Sequence, residues 1–287
     1  MKKNNGELGF FKRNSEKIMT ITIILILILI TLPIIIGYFW LIIRSFSEDM
    51  VRGFVPTKLT LKNWRFLWSE MKGYPNIWVT TFNTSVVALG VMAIEVLITS
   101  LGGYALSRYD FPGRSSIMKL ILALHAFPAI SLMVAVFYLL KVLNLLDSLF
   151  GIILLKASLE IPWGTWIMKG FYDGVPWELE MAGLIDGYSR FETWIKIVLP
   201  LVKPGIAVTA VFAFLSGWSE FVFINTFIFS QKFWTLSKYV KGIIGDFRFA
   251  DYGLVTAVGL FYMLPTIIFF FFVSKHMIKL TIGGVKG

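Results

Sequence analysis

Six apolar runs, each long enough to cross a bilayer, decide most of what this chain can become. The hydrocarbon core of a membrane is about 30 Å thick and takes about 20 residues of helix to span. Inside it no water meets an open backbone N–H or C=O, so each span must satisfy its own hydrogen bonds. The runs are Ile18–Ile43, Asn83–Ser107, Ile117–Lys141, Leu149–Phe171, Pro204–Phe229 and Tyr252–Met277. The expected fold class is all-α: a polytopic integral membrane protein with six transmembrane helices and both termini on one side. Composition agrees, with 57% of residues hydrophobic and 15% charged, where a soluble domain has about 25% charged. The first run exceeds the roughly 7–15 apolar residues of a cleaved signal peptide. It leads into Arg44-Ser45-Phe46 without a small-residue cleavage site, so it is expected to persist, with a kink at Pro33.

One long stretch between the apolar runs is polar-rich, VPWELEMAGLIDGYSRFETWIKIVLPLVKP, from Val175 to Pro204. Pro176 suits the first position of a helix, where its missing N–H costs nothing, and Glu178 and Glu180 complement the positive end of the helix dipole. Asp186-Gly187 ends that helix. Ser189 and Glu192 form a capping box that starts a second one, with Phe191, Trp194, Ile195 and Val198 as its apolar stripe up to Leu199-Pro200. Such a pair is too short and too charged to cross a bilayer. It is expected to lie in water beside the membrane and offer one face to another protein.

Several function classes are excluded by what the sequence lacks. The net charge is +10, but Lys and Arg are spread over many loops rather than gathered on one face, as membrane-surface residues are, so no nucleic-acid partner is expected. There is no Cys and hence no disulfide or thiolate chemistry. No G-x-x-x-x-G-K-[ST] follows a strand-like run, so ATP is not expected to bind this chain through a P-loop. With two His and no Ser/His/Asp grouping, H-E-x-x-H or acidic cluster, no catalytic residue and no metal site is expected.

The segment ELEMAGLIDG, nine residues, then IVLP is similar to the E-A-A-x-x-x-G-x9-I-x-L-P signature of permease subunits in bacterial and archaeal ATP-binding-cassette importers. Gly187, Ile197, Leu199 and Pro200 fall on that pattern without a gap. The E-A-A positions read Met181, Ala182 and Gly183, so the carboxylate that faces the ATPase in that family is expected from Glu178 or Glu180, with Asp186 nearby. Other segments extend the resemblance. Pro56 followed by Thr60-Leu61-Lys62-Asn63-Trp64 is similar to the family's P…T-L-x-N-[WY], and Ala105-Leu106-Ser107-Arg108 with Phe111-Pro112-Gly113-Arg114 to its A-x-S/A-R-x-x-F-P-G-R. The C-terminal Leu280-Thr281-Ile282-Gly283-Gly284-Val285-Lys286-Gly287 is similar to the ending of one permease subunit of carbohydrate importers, the maltose permease G-like type.

The resemblance implies a cytoplasmic N-terminal segment over 1–17 and one importer transmembrane domain over 18–287, with a coupling loop at about 172–203. It implies a cell membrane location in a bacterium or archaeon, with both termini, Arg108–Lys119 and Val175–Val198 cytoplasmic, and Arg44–Thr81 and Ser230–Asp251 external. The second of these external segments would reach the binding protein. The implied partners are a second permease subunit, two ATPase subunits that hold ATP and Mg, an extracytoplasmic solute-binding protein, and a sugar. Two alternatives stay open: an importer of the same type for another polar solute, and a self-sufficient secondary transporter, for which the inverted repeats expected of that class are not seen.

Charges inside the spans mark the candidate path, because a buried charge in a bilayer needs a partner or a wet cavity. Lys156 and Glu160, one turn apart, read as an ion pair or a substrate contact, and Glu95 as structural or functional. Gly217-Trp218-Ser219-Glu220-Phe221 resembles the family's G-x-W-N-E-F, with Asn225 further on. Trp218 beside Glu220 suits a sugar, whose C–H face packs on a ring and whose hydroxyls donate to a carboxylate, or else packs against a partner subunit. His125 reads as a pore residue or a hydrogen-bonded bundle residue.

Overall fold

Helices follow the apolar runs in order, with breaks where the local chemistry demands them. The computed structural model describes the backbone of residues 4–283, except 52, 54, 246, 247 and 249, and the side chains of 17–271 with the same exceptions. The side chains of Leu280–Gly283, and residues 284–287 altogether, lie outside the described residues, so the C-terminal resemblance has no structural counterpart here.

The chain divides into two compact units. The first comprises residues 1–65 and 249–260. It contains α1 (Asn4–Ser45), the paired strands β1 (Met50–Val51) and β2 (Val55–Pro56), and the start of α12 (Tyr252–Gly283). Between Ile18 and Phe39 the large apolar side chains of α1 are exposed, as lipid contact or a partner helix would require. The Asn63 of the T-L-x-N-[WY] segment has a local reason: its side-chain amide donates to the carbonyls of Ser45 (3.1 Å) and Ser47 (2.9 Å), closing the end of α1. Phe46 stacks on Trp64 beside it at 5.3 Å.

The second unit holds α2 (Ile77–Arg108), α3 (Arg114–His125), α4 (Met133–Val142), α5 (Leu149–Asp173), α6 (Trp177–Ile185), α7 (Arg190–Thr193), α8 (Leu199–Leu201), α9 (Lys203–Trp218), α10 (Val222–Phe227), α11 (Leu236–Ile244) and the rest of α12. Here α2 is central, packing along α5 and α9. It approaches α5 closely because Gly103 carries no side chain: a Cβ there would stand 2.7 Å from that of Met168. One core cluster forms around Val87, Val91, Ile152 and Ile224, and another around Tyr104, Tyr172, Trp194 and Val198.

The membrane helices differ from the six uninterrupted spans expected. Four described helices are long and apolar enough to cross: Lys17–Ser45, Ile77–Arg108, Lys203–Phe227 with a break inside it, and Tyr252–Phe271. The expected third span is instead two helices bent by 90°. Pro128 disfavours helix at the residue before it and cannot donate to the preceding turn, so α3 ends at His125 and a 3₁₀ turn, Ala129–Leu132, leads into α4. The expected fourth span, α5, is long enough, but Lys156 and Glu160 inside it lower its hydropathy. The expected fifth span is interrupted at Ser219–Phe221 between α9 and α10.

The segment Ser230–Asp251, expected as an external loop, is partly folded. α11 buries Leu236, Ser237 and Tyr239, and the Leu236 amide donates to Thr84 Oγ1 at 2.8 Å. Asn83, in the second turn of α2, donates to the carbonyls of Lys232 (2.8 Å) and Trp234 (2.9 Å), fastening the approach to α11.

Candidate functional site

The polar stretch after α5 folds as the two-helix hairpin its sequence indicates. Pro176 is the N-cap, one residue earlier than expected, and α6 starts at Trp177. Gly187 has φ +90°, a conformation open to glycine at little cost. The Ser189 hydroxyl accepts from the Glu192 amide (3.3 Å), and Glu192 Oε2 accepts from the Ser189 amide (3.0 Å), completing the capping box. Hydrogen bonds from the Ser189 backbone and hydroxyl, with Lys196 at 3.2 Å, hold the Glu192 carboxyl down from 4.5 to about 2. The second helix does not stop at Leu199-Pro200. Residues 194–198 form a π turn in which the Leu199 amide bonds the Trp194 carbonyl, and this wider turn admits Pro200 without a helix break. Gly183 lets the two arms close, since a Cβ there would stand 2.5 Å from Ile197 Cδ1.

Two polar links bolt this hairpin to the bundle. Glu180, expected as an outward carboxylate, points inward: its side chain is 1% exposed and that of Arg108, the last residue of α2, is 7% exposed. Arg108 Nε donates to Glu180 Oε2 at 2.9 Å and Nη2 to the Val175 carbonyl at 2.8 Å, while the Tyr104 hydroxyl donates to Glu180 Oε1 at 2.6 Å. In the second link Trp194 Nε1 donates to the Tyr172 hydroxyl at 3.0 Å, which also shares a hydrogen bond of 2.9 Å with Ser100. Trp194, expected on the docking stripe, is thus a buried anchor.

The outward side of the hairpin carries large apolar side chains among its charged ones. Ile185 is 85% and Phe191 63% exposed, with Leu179, Tyr188 and Ile195 also exposed. Glu178, Ala182, Asp186, Gly187 and Pro200 are exposed, Met181, Ile197 and Leu199 half-buried, and Gly183 buried.

The second candidate region lies at the break between α9 and α10. Glu220 Oε1 accepts from the Phe223 amide at 2.8 Å and so caps α10, while Oε2 meets Lys156 Nζ at 3.1 Å. Lys156 also pairs with Glu160 at 3.1 Å, and Glu160 accepts from Ser216 Oγ at 2.5 Å. Two freed carbonyls at the break find partners too. The Trp218 carbonyl accepts from Tyr262 Oη (2.9 Å) and the Glu220 carbonyl from Ser237 Oγ (2.6 Å), as a break at membrane depth requires. Trp218 Nε1 donates to the Tyr262 carbonyl (3.1 Å), and its ring stacks on those of Phe214 and Tyr262. Asn225 is exposed on α10, apart from these bonds.

The remaining path candidates sit elsewhere. Glu95 is buried where α2 meets α5 and α9. Its Oε1 lies 2.8 Å from where a Cβ on Gly164 would stand, next to Thr99 and Thr209. Glu95 Oε2 and both threonine hydroxyls have no hydrogen-bond partner among the described residues. His125 is exposed at the end of α3 and stacks on Trp163 of α5. Sequence reasoning missed Arg108 as the partner of Glu180, and Trp163 and Trp166 altogether. The i, i+4, i+7, i+10 spacing of Lys156, Glu160, Trp163 and Trp166 was the available signal for the tryptophans. Among the described residues no group of three or more His, Cys, Asp or Glu could hold a metal ion.

An all-α bundle with broken membrane helices and a two-helix hairpin held beside it is the framework of a polytopic membrane protein. Residues 96–278 match the family described as binding-protein-dependent transport system inner membrane component, and the chain belongs to that family. The maltodextrin transport system permease protein MdxG of Bacillus subtilis is 34% identical over 206 residues, covering 71% of this chain and 74% of the relative. The maltodextrin transport system permease protein MalD of Streptococcus pneumoniae is 28% identical over 288 residues, covering 99% and 100%. A chain of the crystal structure of a bacterial ABC transporter involved in import of the acidic polysaccharide alginate shares the fold. Its TM-score is 0.78 at 21% identity, with 91% of this chain and 97% of that one covered.

Proposed function

We propose that this chain is one permease subunit of an ATP-driven, binding-protein-dependent importer of sugars or oligosaccharides. It has no catalytic role; ATP and Mg are held by a pair of separate ATPase subunits, and a second permease completes the translocation path. The observation that carries this reading is the hairpin, which turns buried charge toward its own bundle and apolar side chains toward the outside. A surface of that kind on a segment outside the bilayer calls for a protein partner. The sugar assignment is supported by the relatives, named for maltodextrin transport. The hairpin, Arg108–Lys119 and both termini are cytoplasmic in this reading, and Arg44–Thr81 and Ser230–Asp251 external.

Coupling runs through the same contacts. Closure of the ATPase pair on ATP pushes Ile185 and Phe191, and the Arg108–Glu180 and Trp194–Tyr172 links carry the push to α2 and α5 as one rigid body. Glu220 and Trp218 stabilise the broken α9–α10 span from behind, Glu95 lies deeper in the bundle, and Asn225 and His125 are the exposed members of the path. The test is uptake into liposomes holding the complete complex. Maltodextrin uptake that needs internal ATP and external binding protein supports the reading. Uptake by this chain alone on an ion gradient would replace it with a secondary transporter.

A further inference from the structure

The face of α5 that carries Lys156 and Glu160 also carries an aromatic stack. Lys156, Glu160, Trp163 and Trp166 follow one another on one stripe of the helix. The charged pair is not sealed off, the side chains being 17% and 22% exposed. Charges open to hydrocarbon are costly, so this stripe faces a wet cavity or a polar partner rather than lipid. Next along it Trp166 stacks on Trp163 with ring centroids 5.4 Å apart and planes at 19°, and His125 of α3 also stacks on Trp163, at 5.3 Å and 17°. Trp166 and His125 are exposed, and Trp163 is half-buried.

We propose that this His125–Trp163–Trp166 ladder is a sugar-binding subsite of the translocation path, contributed by this subunit and taking pyranose rings of an oligosaccharide. The inference rests on the sugar-importer reading above. A pyranose presents apolar C–H faces to aromatic rings and hydroxyls at its rim, and the stripe supplies both halves of that match. The stacked rings give apolar faces, and Glu160 one turn away and the His125 ring give polar groups. An acyl chain would use the rings but leave the polar groups without a match. The ladder adapts to successive sugars because it fixes no single hydroxyl pattern, as a path for chains of several units needs.

The experiment uses the complete complex in ATP-loaded liposomes, with radiolabelled maltotriose delivered by the binding protein. Wild type is measured first; if it does not take up maltotriose while remaining assembled, the sugar reading fails and the ladder assignment falls with it. If it does, Trp163→Leu and Trp166→Leu each lower the maximal uptake rate about fivefold, the range of one lost aromatic contact. The half-saturating sugar concentration stays put, because the soluble binding protein sets it. Trp163→Phe and Trp166→Phe recover most of the rate, since a ring face is what the sugar needs. His125→Leu, at an exposed position where folding is not at stake, also lowers the rate. Wild-type uptake in the leucine variants would overturn the proposal, as would phenylalanine variants no better than leucine. Loss of the second permease on purification of the leucine variants would overturn it too, making the ladder a subunit contact.

Discussion

The hairpin at 177–201 and the break at Ser219–Phe221 both interrupt the march of membrane helices, yet they are built with opposite polarity. At the break the Glu220 carboxylate is buried and paired within this chain, and the Trp218 and Glu220 carbonyls have partners in it. In the hairpin a buried Arg–Glu pair faces the bundle while Ile185 and Phe191 face outward. A segment built this way is finished only by something else packing on it. The contrast separates residues that hold the permease together from those that await a partner, although Glu180 and Glu220 look alike as acids in a sequence.

Substitutions that remove one member of each polar cluster test this contrast most severely. Arg108→Ala leaves Glu180 charged and enclosed, and breaking a buried pair costs about 3–5 kcal/mol. The hairpin is expected to detach, seen as fast amide exchange across Trp177–Leu201 in the purified complex, while exchange in α10 is unchanged. Lys156→Met strips the counter-ion from Glu220 and Glu160, but this cluster is partly open, so the loss is expected to be smaller, about 2 kcal/mol. It is read as a lower thermal midpoint with α10 exchanging faster. If the hairpin also loosened, the two regions would not be independent and the comparison would break.

Smaller effects sharpen the account of the hairpin. Gly187→Val meets open space, so its cost is backbone strain alone, about 1–2 kcal/mol from a Cβ at positive φ. It should speed exchange at the turn and weaken ATPase co-purification without affecting membrane insertion. Ser189→Ala removes the cap of α7, worth about 1 kcal/mol, and shows as faster exchange confined to Arg190–Thr193. The pH response is smallest, because Glu192 is exposed. Its folded pKa lies below the usual value, so its stabilisation is present above 4.5 and is lost as pH falls through about 2. Exchange at Arg190–Thr193, corrected for intrinsic rates, should rise over that window in wild type and change less in Ser189→Ala.

Local chemistry made the hairpin readable from sequence. Gly187, Ser189 and Glu192 act within a few residues of themselves, and turn and cap rules apply directly. The bend after His125 was also within reach, since Pro128 announces it, but a hydropathy run does not register a change of direction. Arg108 and Glu180 were not readable as a pair, being 72 positions apart and joined only once α2 and α5 pack. Glu180 near a helix start looked sufficiently explained by the dipole. Trp194 misled for a related reason: an apolar stripe gives a face but does not say which side of it meets the chain's own bundle. The G-W-S-E-F segment left a sugar contact and packing against a partner subunit both open, and its local bonds, from Glu220 to Lys156 and the Phe223 amide, join residues too far apart or too dependent on the helix break to be read in advance.

The most direct test of the central claim uses the absence of cysteine in the sequence. Ile185→Cys places a single thiol at the tip of the hairpin, where the side chain is 85% exposed. In native membranes a short bifunctional thiol–amine reagent should join this position to an ATP-binding partner protein, with the yield altered by ATP. A membrane-impermeant thiol reagent added to intact cells should leave it unlabelled. Full labelling from outside, with no cross-link to an ATP-binding protein, would contradict both the orientation and the coupling role of the hairpin.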